Sequence, residues 1–180
     1  RMIEVCKQNN VSLAIAFYRR YFPVVQKMKE LLEAGAVGKP LRVSATTISL
    51  FQSNEKDPWR LNQSVGGGGF LMDVGSHRFD LMTYLVGAAK RVTGVVGTQQ
   101  LVSTVEDAAS IAMEFEDGVQ GSAAFHWNCP VSRDTLEIVG SQGILSIDSL
   151  SDKGLLALET GTSTERWRLP ASAPVHLNLV

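Results

Sequence analysis

The second half of the chain alternates short runs of apolar and β-branched residues with tight turn sequences. The clearest turns are Glu116-Asp117-Gly118, Gly140-Ser141-Gln142-Gly143 and Asp152-Lys153-Gly154. Strands joined by such short connections pair antiparallel, because a parallel pair needs a crossover of about a dozen residues or more. The pattern therefore predicts a largely antiparallel sheet, with strands at 92–98, 107–115, 119–127, 135–139, 144–148, 155–158 and 166–169.

The first half is mainly helical. After Pro23, apolar residues recur at helical spacing as far as Leu32, and Gly35 can cap the helix that they predict. Residues 41–51 form a predicted strand, and residues 70–85 a second helix that ends at Gly87. A chain of 180 residues suits one sizeable core. The predicted fold is α+β: a largely antiparallel, open-faced β-sheet with helices packed on one face.

The two ends of the chain do not fit a self-contained fold. Residues 1–10 resemble the end of a helix, and residues 11–17 form an apolar run with one polar member, Ser12. Such a run is typical of a strand buried on both faces, which needs parallel neighbours. Residues 174–180 resemble the start of a helix. We therefore expect a piece of a longer protein that is truncated at both termini.

Charge and cysteine content narrow the classes of function. The formal net charge is −1, from 17 basic and 18 acidic residues, so we expect no binding to nucleic acid and no attraction to an anionic membrane. No apolar run reaches the length of about 18–20 residues that crosses a bilayer. Cys6 and Cys129 lie far apart and in no metal-binding spacing, which favours free thiols and a cytoplasmic location.

One segment carries a candidate for acid–base chemistry. Asp73, His77 and Asp80 follow a run of four glycines at spacings of four and three residues, so a helix would place them on one face. A carboxylate beside the imidazole would fix its tautomer and raise its proton affinity, which suits a general acid or base. Two alternatives stay open: a surface Asp–His pair that only stabilises the helix, and a metal site of one histidine and two carboxylates.

Other residues near this segment have two interpretations each. The glycine run could cradle a phosphate, but it lacks the Gly-Lys-Ser/Thr ending, so we expect it to allow close approach of another element or of a ligand. Trp59 and Arg60 are either sugar contacts or a packed tryptophan beside an exposed arginine. Tyr18 follows the predicted buried strand, where open sheets place ligand contacts, but could belong to a solvated turn. His126 is interpreted as structural.

Taken in order, these residues resemble the Gfo/Idh/MocA family of oxidoreductases. The similarity covers residues 17–23, 32–40, 67–77, 85–87 and 137–143, together with Trp59, Arg60 and Asp80. Its most specific part is Asp73-Val74-Gly75-Ser76-His77 behind the glycines. The resemblance runs along nearly the whole chain.

The resemblance implies a function and a set of roles. The parent protein would be an NAD(P)-dependent dehydrogenase acting on a CH–OH group of a sugar, polyol or similar substrate. His77 would be the catalytic acid/base and Asp73 would orient it. Asp80 would help to bind substrate, as would Trp59, Arg60 and Tyr18. The open face of the sheet would form a homodimer or a higher homo-oligomer.

The chain also departs from the family. It lacks the glycine-rich dinucleotide fingerprint and the Glu-Lys-Pro segment whose lysine assists proton transfer in the family. Residues 1–17 resemble the last helix and strand of a dinucleotide-binding domain, and residues 18–180 the substrate-binding and dimerisation domain. We expect no NAD or NADP on this chain alone, and no turnover by it. The alternative is a non-catalytic dimerisation or ligand-binding module.

Overall fold

The computed structural model of the protein describes residues 1–50, 59–100, 104–151 and 154–170. The helices are α1 (Met2–Gln8), α2 (Pro23–Glu33), α3 (Gln63–Gly66) and α4 (Ser76–Val86), and a π-helical turn at Leu71–Gly75 leads directly into α4. Short 3-10 turns lie at Tyr18–Tyr21, Trp59–Leu61 and Glu116–Gly118. The strands are β1 (Pro40–Ser49), β2 (Ala89–Gly97), β3 (Ala108–Phe115), β4 (Gln120–Trp127), β5 (Arg133–Gly140), β6 (Gly143–Ile147), β7 (Leu155–Thr160) and β8 (Thr164–Arg168).

The strands form one sheet, in the order β2-β3-β4-β1-β5-β6-β7-β8. Among the described strands, β1 pairs parallel with β4, and the other neighbours pair antiparallel. This confirms the predicted α+β fold with a largely antiparallel, open-faced sheet. The turn sequences at 116–118 and 140–143 account for the β3–β4 and β5–β6 hairpins, and residues 152 and 153 of the third predicted turn lie outside the described residues. The parallel pairing in the middle joins strands about seventy residues apart and has no local signal.

The helices cover one face of the sheet and form the core with it. α2 buries Val24, Val25 and Met28, and α4 buries Leu81, Met82 and Leu85. Each such side chain contributes about 1.5–3 kcal/mol on full burial, whereas an exposed ion pair contributes about 0–1 kcal/mol. Apolar packing therefore fixes where α4 lies. None of the described helices combines the length and apolar character needed to cross a bilayer.

The predicted strand at residues 11–17 is wrong for this structure. The segment forms no ladder with any described strand, and Val11, Leu13 and Ile15 are 57%, 52% and 74% exposed. A strand that is apolar on both faces becomes buried only between neighbouring strands, and the segment pairs with neither edge strand of the sheet, β2 or β8. The helix predicted before it is present as α1.

The glycine run passes directly against the segment before β3. A Cβ atom on Gly69 would lie 2.0 Å from the backbone oxygen of Glu106. That oxygen accepts a hydrogen bond from the Phe70 N–H at 3.1 Å, and the Glu106 carboxylate accepts from the N–H groups of Gly69 at 2.8 Å and Met72 at 3.2 Å. This confirms that the glycines allow the close approach of another element. The N–H groups of Gly69 and Met72 already have a carboxylate partner, which leaves no phosphate cradle there.

We expect Gly69→Ala to destabilise the protein by about 1–3 kcal/mol, because the new methyl group collides with backbone that cannot rotate away. Gly97→Ala is the matched control, since a Cβ atom there meets nothing within 4 Å, and its effect should stay within about 0.5 kcal/mol. Urea denaturation of the purified variants measures both. Equal stability of the two variants would contradict the close packing at Gly69.

Candidate functional site

The candidate site lies where the π-helical turn meets the first turn of α4. Asp73 lies in the π-helical turn, and His77 and Asp80 lie in α4. A π-helical turn is wider than an α-helical one, so the rule that residues four apart face each other does not hold across it. The structure shows no hydrogen bond between Asp73 and His77 in the described part of the chain, contrary to the carboxylate–imidazole contact expected from the sequence. The orienting role of Asp73 stays a prediction.

The imidazole of His77 lies against aromatic rings from the segment that precedes α2. Its centroid is 5.9 Å from that of Phe17, edge to face, and 5.5 Å from that of Tyr18. The Nδ1 atom is buried and has no hydrogen-bond partner among the residues that the structure describes. Tyr18 lies beside the imidazole, and its role in binding substrate stays a prediction.

The surroundings of His77 favour the neutral imidazole. Burial lowers the pKa of His77 below its ordinary value of 6.5, and the positive charges of Arg19 and Arg78 lower it further. Asp73 and Asp80 act in the opposite direction but with smaller effects. The sequence predicted a raised proton affinity because it placed a carboxylate next to the ring. The direction of the pKa shift is the reverse, because burial disfavours the charged ring and the two guanidinium groups outweigh the two carboxylates.

Asp73 is paired with Arg60 and not with the histidine. The Arg60 Nε atom lies 3.4 Å from the Asp73 Oδ2 atom, and both side chains are nearly half exposed. The Arg60 guanidinium in turn lies over the Trp59 ring, 4.5 Å from its centroid. Trp59 is 44% exposed. The three residues form one accessible, partly aromatic group beside the π-helical turn.

Asp80 has a partner of its own. Both of its carboxylate oxygens accept hydrogen bonds from Arg20, one of them from Nε at 2.8 Å. The Asp80 side chain is 6% exposed, and the Arg20 guanidinium also lies over the Tyr84 ring. The contact that the structure gives Asp80 therefore ties α4 to the 3-10 turn at Tyr18–Tyr21. Its substrate-binding role stays a prediction.

The arginine partners of Asp73 and Asp80 also bear on the alternative that these carboxylates and His77 bind a metal ion. Asp80 uses both carboxylate oxygens on Arg20, and Asp73 has one oxygen beside Arg60. In the described ranges, no three histidine, cysteine, aspartate or glutamate side chains gather where they could hold a metal ion. His126 lies on the uncovered face of β4, and Trp127 lies on the covered face, where it stacks on Phe70 at 5.1 Å.

Sequence reasoning missed two residues that hold the site together. Arg78 follows His77 directly, is 1% exposed, and pairs with Asp134 at the start of β5. Glu106 caps the glycine run through two backbone N–H groups. Arg78 could have been recognised from the sequence, because it is a charged residue on an otherwise apolar face of the predicted helix. Its partner 56 positions away left no signal.

A sequence model of the GFO/IDH/MocA C-terminal domain matches residues 25–146. An oxidoreductase of Formosa agariphila is 28% identical over 149 residues, which are 81% of this chain and 46% of that protein. The D-xylose 1-dehydrogenase [NADP(+)] of Haloarcula marismortui is 25% identical over 174 residues, covering 92% of this chain and 48% of the enzyme.

The fold has close counterparts among solved structures. An oxidoreductase from Thermotoga maritima superposes with a TM-score of 0.78 at 26% identity, over 95% of this chain and 51% of that one. The chain spans about half the length of the curated relatives it matches. The match of more than half of the chain to the family model agrees with the fold and with the motif at His77. The chain belongs to the Gfo/Idh/MocA family and corresponds to its C-terminal domain.

Proposed function

We propose that this chain is the substrate-side part of an NAD(P)-dependent dehydrogenase that oxidises a CH–OH group of a sugar, polyol or similar small molecule. The observation that carries the proposal is the partly buried His77, whose pKa is lowered by burial and by two arginines. A neutral imidazole at pH 7 is a ready proton acceptor. The D-xylose dehydrogenase named above supports the substrate class.

His77 acts as the catalytic base in this proposal. Its Nε2 atom accepts the hydroxyl proton, and in the reverse direction the imidazolium returns it to the carbonyl oxygen. The Trp59–Arg60–Asp73 group flanks the substrate, with the ring as an apolar floor and the charged groups as hydroxyl partners. Tyr18 closes the site on the other side of the imidazole.

In this proposal another domain holds the dinucleotide, which agrees with the Glu106 carboxylate already accepting from the N–H groups of Gly69 and Met72. NAD or NADP, when bound, supplies the acceptor for the hydride that leaves the substrate carbon. We place it in a domain upstream, of which residues 1–17 are the last part, and assign residues 18–180 to substrate binding and dimerisation. The exposed apolar side chains of Val11, Leu13 and Ile15 support this, because an adjoining domain would bury them.

We also propose that the protein forms a homodimer or higher homo-oligomer through the uncovered face of its sheet. That face is flat and carries small or β-branched side chains, among them Thr46, Val95, Ser110 and Ser122 around a shallow hollow. Val95 is 76% exposed. We place the assembly in the cytoplasm, a reducing compartment that suits the free thiols of Cys6 and Cys129.

The full-length protein that contains this chain should oxidise a sugar or polyol with NAD or NADP, and His77→Ala should lower kcat/KM by about 100-fold or more, because the proton acceptor is lost. His126→Ala is the matched control, since it removes an imidazole from the opposite face of the sheet and should keep most of the activity. Reduction of the cofactor, followed at 340 nm, measures both. A full-length protein without a dinucleotide-binding domain would instead favour the non-catalytic module.

The pH profile should show which form of His77 acts. Oxidation needs the neutral ring, and its pKa lies below 6.5. The value of kcat/KM for oxidation should therefore be level at pH 7 and fall about tenfold per pH unit only below that lowered pKa. For carbonyl reduction, which needs the protonated ring, kcat/KM should instead fall as the pH rises above that pKa. An acidic limb for oxidation that begins above pH 7 would contradict a depressed pKa at His77.

Val95→Asp should weaken self-association at least about tenfold, because a carboxylate would be desolvated in the interface. Val131→Asp is the control: Val131 is 65% exposed but lies in the loop between β4 and β5. Sedimentation velocity over a range of concentrations gives the dissociation constants. Equal dissociation constants for the two variants would contradict an interface on the open face of the sheet.

A further inference from the structure

Arg78 is a charged residue in the core, placed directly after the proposed catalytic base. It is 1% exposed. Its Nε donates to Asp134 Oδ1 at 2.8 Å, and its Nη2 donates to Asp134 Oδ2 at 2.6 Å, which makes a bidentate pair. Its Nε also lies 3.2 Å from the hydroxyl of Thr47, which is 5% exposed. Because Thr47 belongs to β1 and Asp134 to β5, these contacts tie the first turn of α4 to two neighbouring strands in the middle of the sheet.

A second guanidinium joins the same carboxylate from another element. Arg19, in the 3-10 turn at Tyr18–Tyr21, places its Nη1 atom 3.8 Å from Asp134 Oδ2 and donates to the backbone oxygen of Leu150. Its guanidinium lies 5.6 Å from the centroid of the Tyr18 ring. Asp134 therefore gathers the two arginines that lower the pKa of His77, one from each of the elements that enclose the imidazole.

Among the described residues, four charged groups act on the pKa of His77. On its own helical segment these are Asp73, Asp80 and Arg78, and on the 3-10 turn it is Arg19. Asp73 and Asp80 each face an arginine of their own. The balance at the imidazole is consequently positive on the side of the sheet, where Arg78 is fixed.

Stability alone does not explain this pair. Replacing a buried ion pair by apolar residues of similar volume is often neutral or stabilising, because two charges no longer have to leave water. The hydrogen-bonding groups of Arg78, Thr47 and the partly buried Asp134, which lie on three elements, instead define one rotation of α4 about its axis. Two residues of a helix that are adjacent in sequence point about 100° apart, so a fixed Arg78 also fixes the direction of His77.

Resting on the function proposed above, we propose that Arg78 and Asp134 are positioning residues for His77: their buried bidentate pair locks the first turn of α4 on the sheet, so that the imidazole keeps one direction and one charge state. Neither residue touches the substrate. They act through the helix and through the field of the guanidinium.

The test uses the full-length protein and two sets of variants. Arg78→Met with Asp134→Leu removes both charges of the bidentate pair and keeps an apolar core, while Arg19 keeps its hydrogen bond to the backbone oxygen of Leu150. Arg78→Lys keeps the charge but cannot form the bidentate fork. The matched control is Lys29→Met with Glu33→Leu, which removes an exposed pair at 3.4 Å on α2. The readouts are the pKa of His77, from NMR of labelled histidines assigned by the signal lost in His77→Ala, and kcat and KM across pH.

In the double variant we expect the pKa of His77 to rise by about 0.5 or more, and the acidic limb of kcat/KM to move with it. In Arg78→Lys the pKa should stay, while kcat falls about tenfold at an unchanged KM because the ring is less well directed. The control should match the wild type in all respects. A folded double variant with the wild-type pKa and kcat overturns the inference. If the double variant does not fold, wild-type kcat in Arg78→Lys overturns it.

Failure of the proposed function gives a different result. A wild-type protein that oxidises no sugar or polyol, or whose activity does not follow the titration of His77, removes the proposed reaction. The NMR titration does not depend on turnover, so the coupling between Arg78 and His77 is measured in either case.

Discussion

A guanidinium that is 1% exposed has to find its partners inside the protein, and this requirement links the elements of the site. Arg78 meets it at Nε and Nη2 with Asp134 and Thr47, while its Nη1 has no partner among the described residues, and Asp134 also contacts Arg19. Helix α4, the middle of the sheet and the turn before α2 consequently share one carboxylate. Apolar packing places α4 on the sheet to within the tolerance of side-chain rotamers, whereas the bidentate pair removes the remaining freedom of rotation.

The pairing of nearby carboxylates with arginines also explains why the neutral form of His77 is favoured. Each carboxylate on its helical segment faces an arginine, Arg60 for Asp73 and Arg20 for Asp80. A carboxylate that already shares its charge with a guanidinium does little to stabilise an imidazolium, and burial then determines the direction of the pKa shift. The two carboxylates therefore hold neighbouring elements through their arginines, and the imidazole stays unprotonated with a lone pair that can accept a proton.

How much could be predicted from the sequence depended on whether the signal was local. Turn sequences and β-branched runs predicted the strands of the second half, and the spacing after Pro23 predicted α2, because hairpins and amphipathic helices are encoded within about ten residues. The histidine was found from its motif. Three features were beyond such reasoning: the π-helical turn that rotates Asp73 away from His77, the Arg78–Asp134 pair, and the cap of Glu106 on the glycine run. Each depends on segments that meet only in the folded chain.

The parallel pairing of β1 with β4 has a consequence for how such a protein can change over evolution. Eight paired positions, from Arg42 with Gln120 to Ser49 with Trp127, fix the two strands in register. A slip by one residue would turn Phe125 and Trp127 out of the core. The stretch between these strands carries α4, β2 and β3, and it returns to the sheet beside its own start. Its packed elements are bound to the same register, because α4 lies in the core and β3 pairs with β4. Changes of length that keep this register have to fall in the connections between the elements, where surface loops tolerate insertion.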